Sequence, residues 1–324
     1  MAEAIVIKNY GGPEVLKLEE IPEPIPKSNE LLIQQTAIGI NFHDIYCRSG
    51  LYKTLSLPGT PGIEGVGEVL QVGSEVVEFS KGDKVAYITS KYNGYSSKRT
   101  LPADIAVLVP DGINDEIIAS TILKGLTVQM LCNQVTKIRT NDKILIHAAA
   151  GGVGQLLVQI VKQMGAMVIG TVGSVEKSKV ALKAGCDHII FYREEKVFDR
   201  VMKITNGMGL NKVYDSVGKD TFHDSLASLT FEGHLINFGQ SSGSIEGFEI
   251  PMLAKKSTTL SRPMIFHYTR NREKLLQMSE EHFKAIASGK LIAPEPIKLS
   301  LGEAAKAHEM LASRTLTQPI VLIP

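Results

Sequence analysis

Glycines in one short stretch carry the clearest chemical bias. Ala149-Ala150-Gly151-Gly152-Val153-Gly154 follows the apolar run Lys143–Ala149 and precedes Gln155–Met164, which has helical periodicity. Against the dinucleotide fingerprint G-x-G-x-x-G, Ala149 takes the place of the first glycine, while Gly151 and Gly154 keep the other two. Glycine lets the backbone approach a pyrophosphate, and the start of a helix offers unpaired N–H groups and a positive dipole end. Gly151, Gly152, Val153 and Gly154 are thus the expected phosphate cradle. A tight turn without a ligand is the plainer alternative, but the strand before and the helix after are what the nucleotide reading requires.

The end of the following strand distinguishes two cofactors. NAD sites place a carboxylate there, about 20 residues beyond the turn, to accept from the ribose hydroxyls. This chain reads Gly170-Thr171-Val172-Gly173-Ser174-Val175-Glu176-Lys177, with small neutral residues at the decisive place. An acid would repel a 2′-phosphate, whereas Lys177 and the Ser174 hydroxyl attract one. NADP(H) is therefore expected, and the competing assignment makes Glu176 the ribose acceptor.

Those residues need a scaffold. From about Asp142 onward, buried-strand runs alternate with helices: Met167–Val172, Val175–Lys183 closed by Gly185, His188–Phe191, Lys212–Asp215 and His234–Phe238. Such alternation predicts a doubly wound parallel sheet. The first ~120 residues are different, with short β-prone runs (Ala4–Ile7, Glu30–Gln34, Gly67–Val72) punctuated by Gly and Pro, which suits a small barrel or sandwich. The final stretch holds helical segments at Asn271–Gly289 and Gly302–Leu311 and a last strand, Ile320–Ile323. The expected class is α/β, a β-rich domain at 1–124 completed by 265–324, with a nucleotide-binding domain at 125–264.

Bulk properties exclude other classes. A length of 324 residues suits two domains, and 44% hydrophobic with 21% charged residues is ordinary globular usage. A net charge of +1 gives no electrostatic reason for a nucleic-acid partner, and no apolar run approaches the ~20 residues of a membrane span. The start, MAEAIVIKNYGGPE, has no secretory pattern. Cys47, Cys132 and Cys186 are odd in number and far apart, so no disulfide framework is expected and the cytoplasm is the default compartment.

Further motifs carry a family likeness: AIVIKNYGGPEV at Ala4–Val15, Gly39–Asp44 with Arg48–Tyr52, Gly82–Val85, Lys124–Thr127, Ala148–Gly154, Tyr214–Gly218 and Phe238–Ser242. In this order the chain resembles the quinone oxidoreductase, zeta-crystallin-like branch of the medium-chain dehydrogenase/reductase superfamily over nearly its whole length. The resemblance implies a GroES-like catalytic domain with a Rossmann domain, NADPH held between them, and hydride delivery to a quinone. It also implies a dimer or tetramer, often made by joining Rossmann sheets edge to edge, and a homodimer is the expectation here. Thr258–Ser261, a β-prone run placed after the sixth strand, is the expected pairing edge.

Zinc enzymes of that superfamily use a Cys and the His of a Gly-His-Glu motif as ligands. Here Gly62-Ile63-Glu64-Gly65 has isoleucine at the histidine position, and Asn41-Phe42-His43-Asp44 stands where the first cysteine would lie. His43 and Asp44, taken as neighbours on an extended segment, would point to opposite sides. No metal is expected. Without one, reducing an electron-poor ring is easier than oxidising an alcohol, and catalysis reduces to positioning.

The resemblance places Asn41, Asp44, Tyr46, Arg48 and Tyr52 beside the reacting groups. Asn41 would donate to a carbonyl oxygen gaining charge, and the tyrosines would stack on a planar acceptor; Asp44 is equally a structural partner for Arg48. It also implies cofactor contacts from Asn41, Thr127, Tyr192, Ser216, Phe238, Gly239, Ser241 and Arg314. Two alternatives stay open: an enone or alkenal reductase with the same cofactor, and a non-catalytic NADPH-binding protein of crystallin or RNA-associated type.

Overall fold

The computed structural model describes residues 1–324, which divide into two compact units: Met1–Leu126 with Phe266–Pro324, and Thr127–Ile265.

In the first unit the strand Glu30–Gly39 is the organising element. It pairs antiparallel with Glu64–Val72, Lys98–Pro102 and the last strand of the chain, Ile320–Ile323. Its register against Glu64–Val72 slips twice, after Leu32 and after Gln35. Each slip adds local twist and bends the sheet around its core. Leu31, Ile33, Val69, Phe79, Val85, Tyr87, Leu101 and Ala106 fill that core. Ile320–Ile323 in turn pairs parallel with Ile297–Ser300. The β-rich expectation for the first ~120 residues holds.

One local expectation does not. Asn41–Asp44 is not an extended segment: Phe42–Ser49 is an α-helix. Asn41 is its N-cap, in extended conformation, and the Asp44 carboxylate reaches back to accept from the Asn41 N–H at 2.8 Å. An acceptor three residues into the helix satisfies an amide that would otherwise lack a partner. Gly50, at φ 81°, ends the helix.

The second unit is a six-stranded, wholly parallel sheet. Its strand order is His188–Phe191, Met167–Val172, Lys143–Ile146, Leu210–Asp215, Leu229–Asn237, Thr259–Ser261. The chain winds outward from Lys143–Ile146 in one direction, then returns and winds in the other, so the order reverses beside that first strand. Ligands of such sheets bind outside the carboxyl ends of the strands at this reversal. The doubly wound prediction is correct. Thr259–Ser261 is itself the sixth strand rather than a run beyond it, and it occupies the sheet edge.

Two helix starts were read too late or too early from periodicity alone. The helix predicted from Gln155 begins at Gly152, so the glycines lie in its first turn. The helix predicted from Asn271 begins at Arg272, with the Asn271 side chain capping the Lys274 N–H at 2.9 Å. No helix is long and apolar enough to cross a membrane.

Candidate functional site

The nucleotide cradle is built by close packing. Ala148, in the turn after the strand Lys143–Ile146, lies in the left-handed region at φ 52°, and its carbonyl accepts from Gly151 N–H at 2.8 Å. This closes a turn that delivers the chain into the helix Gly152–Gln163. A Cβ on Gly154 would lie 2.2 Å from the Ala148 carbonyl oxygen and 2.9 Å from Ala149 backbone atoms, so only glycine fits there. Gly151, the N-cap, supplies no side-chain cap, and the first-turn amides are therefore left for a ligand. The residues fit a pyrophosphate on this observation.

Three further groups gather at the strand ends. A Cβ on Gly173 would meet the Tyr192 hydroxyl at 2.7 Å, which places Tyr192 across the end of the second strand, next to Ser174. Ser174 caps the following helix by accepting from Lys177 N–H at 3.3 Å. Lys177 is half-buried, whereas Glu176 is exposed. The Glu176 carboxyl is held below its ordinary pKa by its own backbone N–H and then by Ser174. Its carboxylate is thus engaged at the helix start, which weighs against its serving as a ribose acceptor. Beyond the fourth and fifth strands, Ser241 N–H donates to Ser216 O at 3.2 Å and Phe238 N–H to Asp215 O at 2.8 Å. Ser216, Phe238, Gly239 and Ser241 therefore share one loop cluster. Asp215, part of the Tyr214–Gly218 motif but not an expected cofactor contact, organises it by accepting from the N–H groups of Val217 and Gly218. Thr127 lies within the helix Asp115–Met130. Arg314 is exposed at φ 55°, just beyond the helix Ala304–Ala312.

In the first unit the helix Phe42–Ser49 and the residues after it form an aromatic cluster. Tyr46 and Tyr52 meet edge to face at 5.1 Å between ring centres, Tyr52 meets His43 at 5.7 Å, and His43 stacks on Tyr92 at 5.8 Å. Both Tyr46 and Tyr52 are half-buried. The Tyr92 hydroxyl joins His43 Nε2 at 3.2 Å, Cys47 Sγ at 3.2 Å and Thr54. Burial pushes His43 down to about 4, which keeps its ring neutral at physiological pH. Burial likewise raises the Cys47 thiol, so it is not a ready nucleophile.

Asn41 belongs to an ionic network that the sequence did not disclose. Its Nδ2 donates to Glu64 Oε1 at 2.7 Å, and Lys124 Nζ donates to the same oxygen at 3.1 Å. Glu64 Oε2 accepts from Leu123 N–H at 2.8 Å. Glu64 is wholly buried and Lys124 only 8% exposed. A carboxylate accepts but never donates, so this contact fixes the Asn41 amide with its NH2 toward Glu64. One amide hydrogen is committed and the second is left to donate elsewhere.

Asp44 and Arg48 are both buried, but they are not each other's partners as the sequence allowed. Arg48 lies one turn on and bonds Gly11 O through Nε at 3.2 Å and His308 Nδ1 through NH1 at 3.3 Å. Asp44 instead faces Asn41. Burial, with a smaller push from Glu64, raises its carboxyl to about 7, against the Asn41 N–H, Tyr95 and Lys124. No three His, Cys, Asp or Glu side chains gather in a group able to hold a metal ion.

Comparison with known proteins adds the family. The alcohol dehydrogenase GroES-like domain model matches residues 27–111, and the zinc-binding dehydrogenase model matches 152–281. Quinone oxidoreductase 1 of Escherichia coli (strain K12) is 43% identical over 327 residues, covering 100% of both chains. The crystal structure of Escherichia coli quinone oxidoreductase complexed with NADPH superposes with a TM-score of 0.96 at 42% identity, covering 100% of both. That of Pseudomonas syringae pv. Tomato DC3000 quinone oxidoreductase gives 0.97 at 41%, again over 100% of both chains. Across its whole length, then, this chain belongs to the quinone oxidoreductase branch of the medium-chain dehydrogenase/reductase superfamily.

Proposed function

We propose that the chain is an NADPH-dependent quinone reductase. The observation that carries this reading is an uncapped, glycine-lined helix start, Gly151–Gly154, in a chain that matches an NADPH-complexed quinone oxidoreductase from end to end. When bound, the dihydronicotinamide supplies the hydride. The chain's own residues bind and orient. The amides of Gly152–Gly154 hold phosphate, and Lys177 with Ser174 meets the 2′-phosphate. Tyr46 and Tyr52 offer flat, half-buried faces to a planar acceptor. Asn41, its amide fixed by Glu64, gives its second hydrogen to the acceptor oxygen that gains charge. The names of the relatives favour a quinone over an isolated enone as that acceptor.

Residence in the cytoplasm and pairing into a homodimer belong to the same proposal. The first is supported by three buried, unpaired cysteines, the second by the sheet edge at Thr259–Ser261. A small-molecule quinone is the expected partner, with no nucleic acid.

NADPH oxidation in the presence of 1,4-naphthoquinone or an acyclic enone tests the reading. Turnover is expected with the quinone, unchanged by a metal chelator; turnover of the enone alone overturns it. Lys177→Glu is expected to raise KM for NADPH at least tenfold and to leave KM for NADH nearly unchanged, since only NADPH carries the 2′-phosphate. Equal effects on both cofactors would remove Lys177 from the site.

A further inference from the structure

Arg48, His308 and Tyr95 form a buried hydrogen-bonded chain whose hydrogens have only one consistent arrangement, and Asp44 interacts with the hydroxyl at its end. Arg48, His308 and Tyr95 are 6%, 0% and 0% exposed. The guanidinium NH1 lies 3.3 Å from His308 Nδ1, and His308 Nε2 lies 2.9 Å from the Tyr95 hydroxyl. A guanidinium has donors and no acceptor, and it keeps its proton in proteins. His308 Nδ1 must therefore be the bare ring nitrogen. Burial first, then the charge of Arg48, pushes His308 down to about 3, so the ring is neutral and its single hydrogen sits on Nε2. That hydrogen goes to the Tyr95 oxygen. The Tyr95 hydrogen is then committed to neither neighbour in the chain, and the hydroxyl favours the charged form of the Asp44 carboxyl.

Asp44 needs such a donor. It is completely buried, and its Oδ2 accepts from Asn41 N–H while Oδ1 has no hydrogen-bond partner. Around it stand Glu64 from the strand Glu64–Val72, Lys124 from the helix Asp115–Met130, Tyr87, Tyr92 and Tyr95, and Cys47 on its own helix. Of these only Lys124 is cationic, and it is committed to Glu64. We propose that Tyr95 and His308 are positioning residues of the quinone-reducing site: they pass the polarity of Arg48 to Asp44, which as a carboxylate pins the Asn41 backbone and so the start of the helix carrying Asn41 and Tyr46. Aligned donors polarise one another, so the relay acts as a unit. The functional half of this inference rests on the proposed quinone reduction; the arrangement of hydrogens does not.

Nitrogen-15 spectra of the full-length, histidine-labelled protein at neutral pH test the relay directly, with His308 identified by the signal lost in His308→Gln. A neutral His308 with Nε2 protonated and Nδ1 bare is expected. A proton on Nδ1 overturns the proposal even if the chain reduces no quinone. The pH profile of kcat/KM for quinone tests the consequence. An acid limb near pH 7 is expected for the native enzyme, moved up by about one unit in Tyr95→Phe and in His308→Leu. It should return to its native position in His308→Gln, whose amide both accepts and donates, and vanish in Asp44→Asn. Tyr95→Phe keeps the ring and its edge-to-face packing on His308, so its shift reports on the lost hydroxyl. An unshifted limb in Tyr95→Phe, or a native limb in Asp44→Asn, overturns the positioning role.

Discussion

Lys124→Met is expected to lower the stability of the protein by about 3–5 kcal/mol, because it leaves a buried carboxylate without its counter-ion. Glu64 is 0% exposed and keeps only the Asn41 amide and the Leu123 N–H as donors once the ammonium is gone. Neither carries a charge. Methionine matches the length of the lysine stem, so little packing is lost and the loss reports mainly on electrostatics. The double variant Lys124→Met/Glu64→Gln removes both charges and is expected to recover more than half of the deficit: the Gln oxygen accepts from Leu123 N–H, and its NH2 donates to Asn41 Oδ1 once the Asn41 amide turns over. Urea unfolding of the three proteins gives the comparison. A single variant within about 1 kcal/mol of the native protein would mean that the ion pair does not hold this region.

Gly154→Ala has the second large effect, and it should be felt in folding as well as binding. Its Cβ would sit 2.2 Å from the Ala148 carbonyl oxygen, and backbone cannot swing aside as a flexible side chain can. Strand end and helix must separate, at a cost of about 1–3 kcal/mol for overpacking. The displaced first-turn amides would then lose their aim, and NADPH affinity is expected to fall at least a hundredfold, roughly 2.7 kcal/mol. Gly151→Ala separates the two effects. Its nearest neighbour would be the same carbonyl at 3.1 Å, a clash that a small shift relieves. It should bind NADPH poorly while unfolding almost as the native protein does. Fluorescence titration with NADPH beside thermal melts would show this, and equal melting temperatures for Gly154→Ala and the native protein would sink the packing argument.

The sequence was most legible where the constraint is local. Apolar runs covered on both faces, helices ended by Gly185 and glycines after the first strand all depend on neighbours within a few residues, and the doubly wound sheet followed from them. The helix Phe42–Ser49 was missed because aromatic and β-branched residues dilute its helical signal; the pair Asn41 and Asp44, spaced as a capping box, was the available clue. The ionic and neutral networks had no such clue. Glu64 and Lys124 are 60 residues apart, and Tyr95 and His308 are 213 apart. A lysine within a helix and a histidine in an alanine-rich helix look like solvated residues until the fold places them. The family likeness pointed to Asn41, Asp44 and Arg48 but could not say which of them bond one another.

The strand Ile320–Ile323 lies between Ile297–Ser300 and Glu30–Gly39, inside a sheet whose other strands come mostly from the first third of the chain. On the ribosome, everything from Thr127 to Ile265 has emerged before that strand exists. The parallel sheet can therefore form co-translationally, while the first sheet waits with the Ile38–Gly39 end of the strand Glu30–Gly39 bare. A nascent chain stalled before residue 320 should expose that end to chaperones or to other polypeptides, which makes late translational pausing the point where this protein is most prone to aggregate.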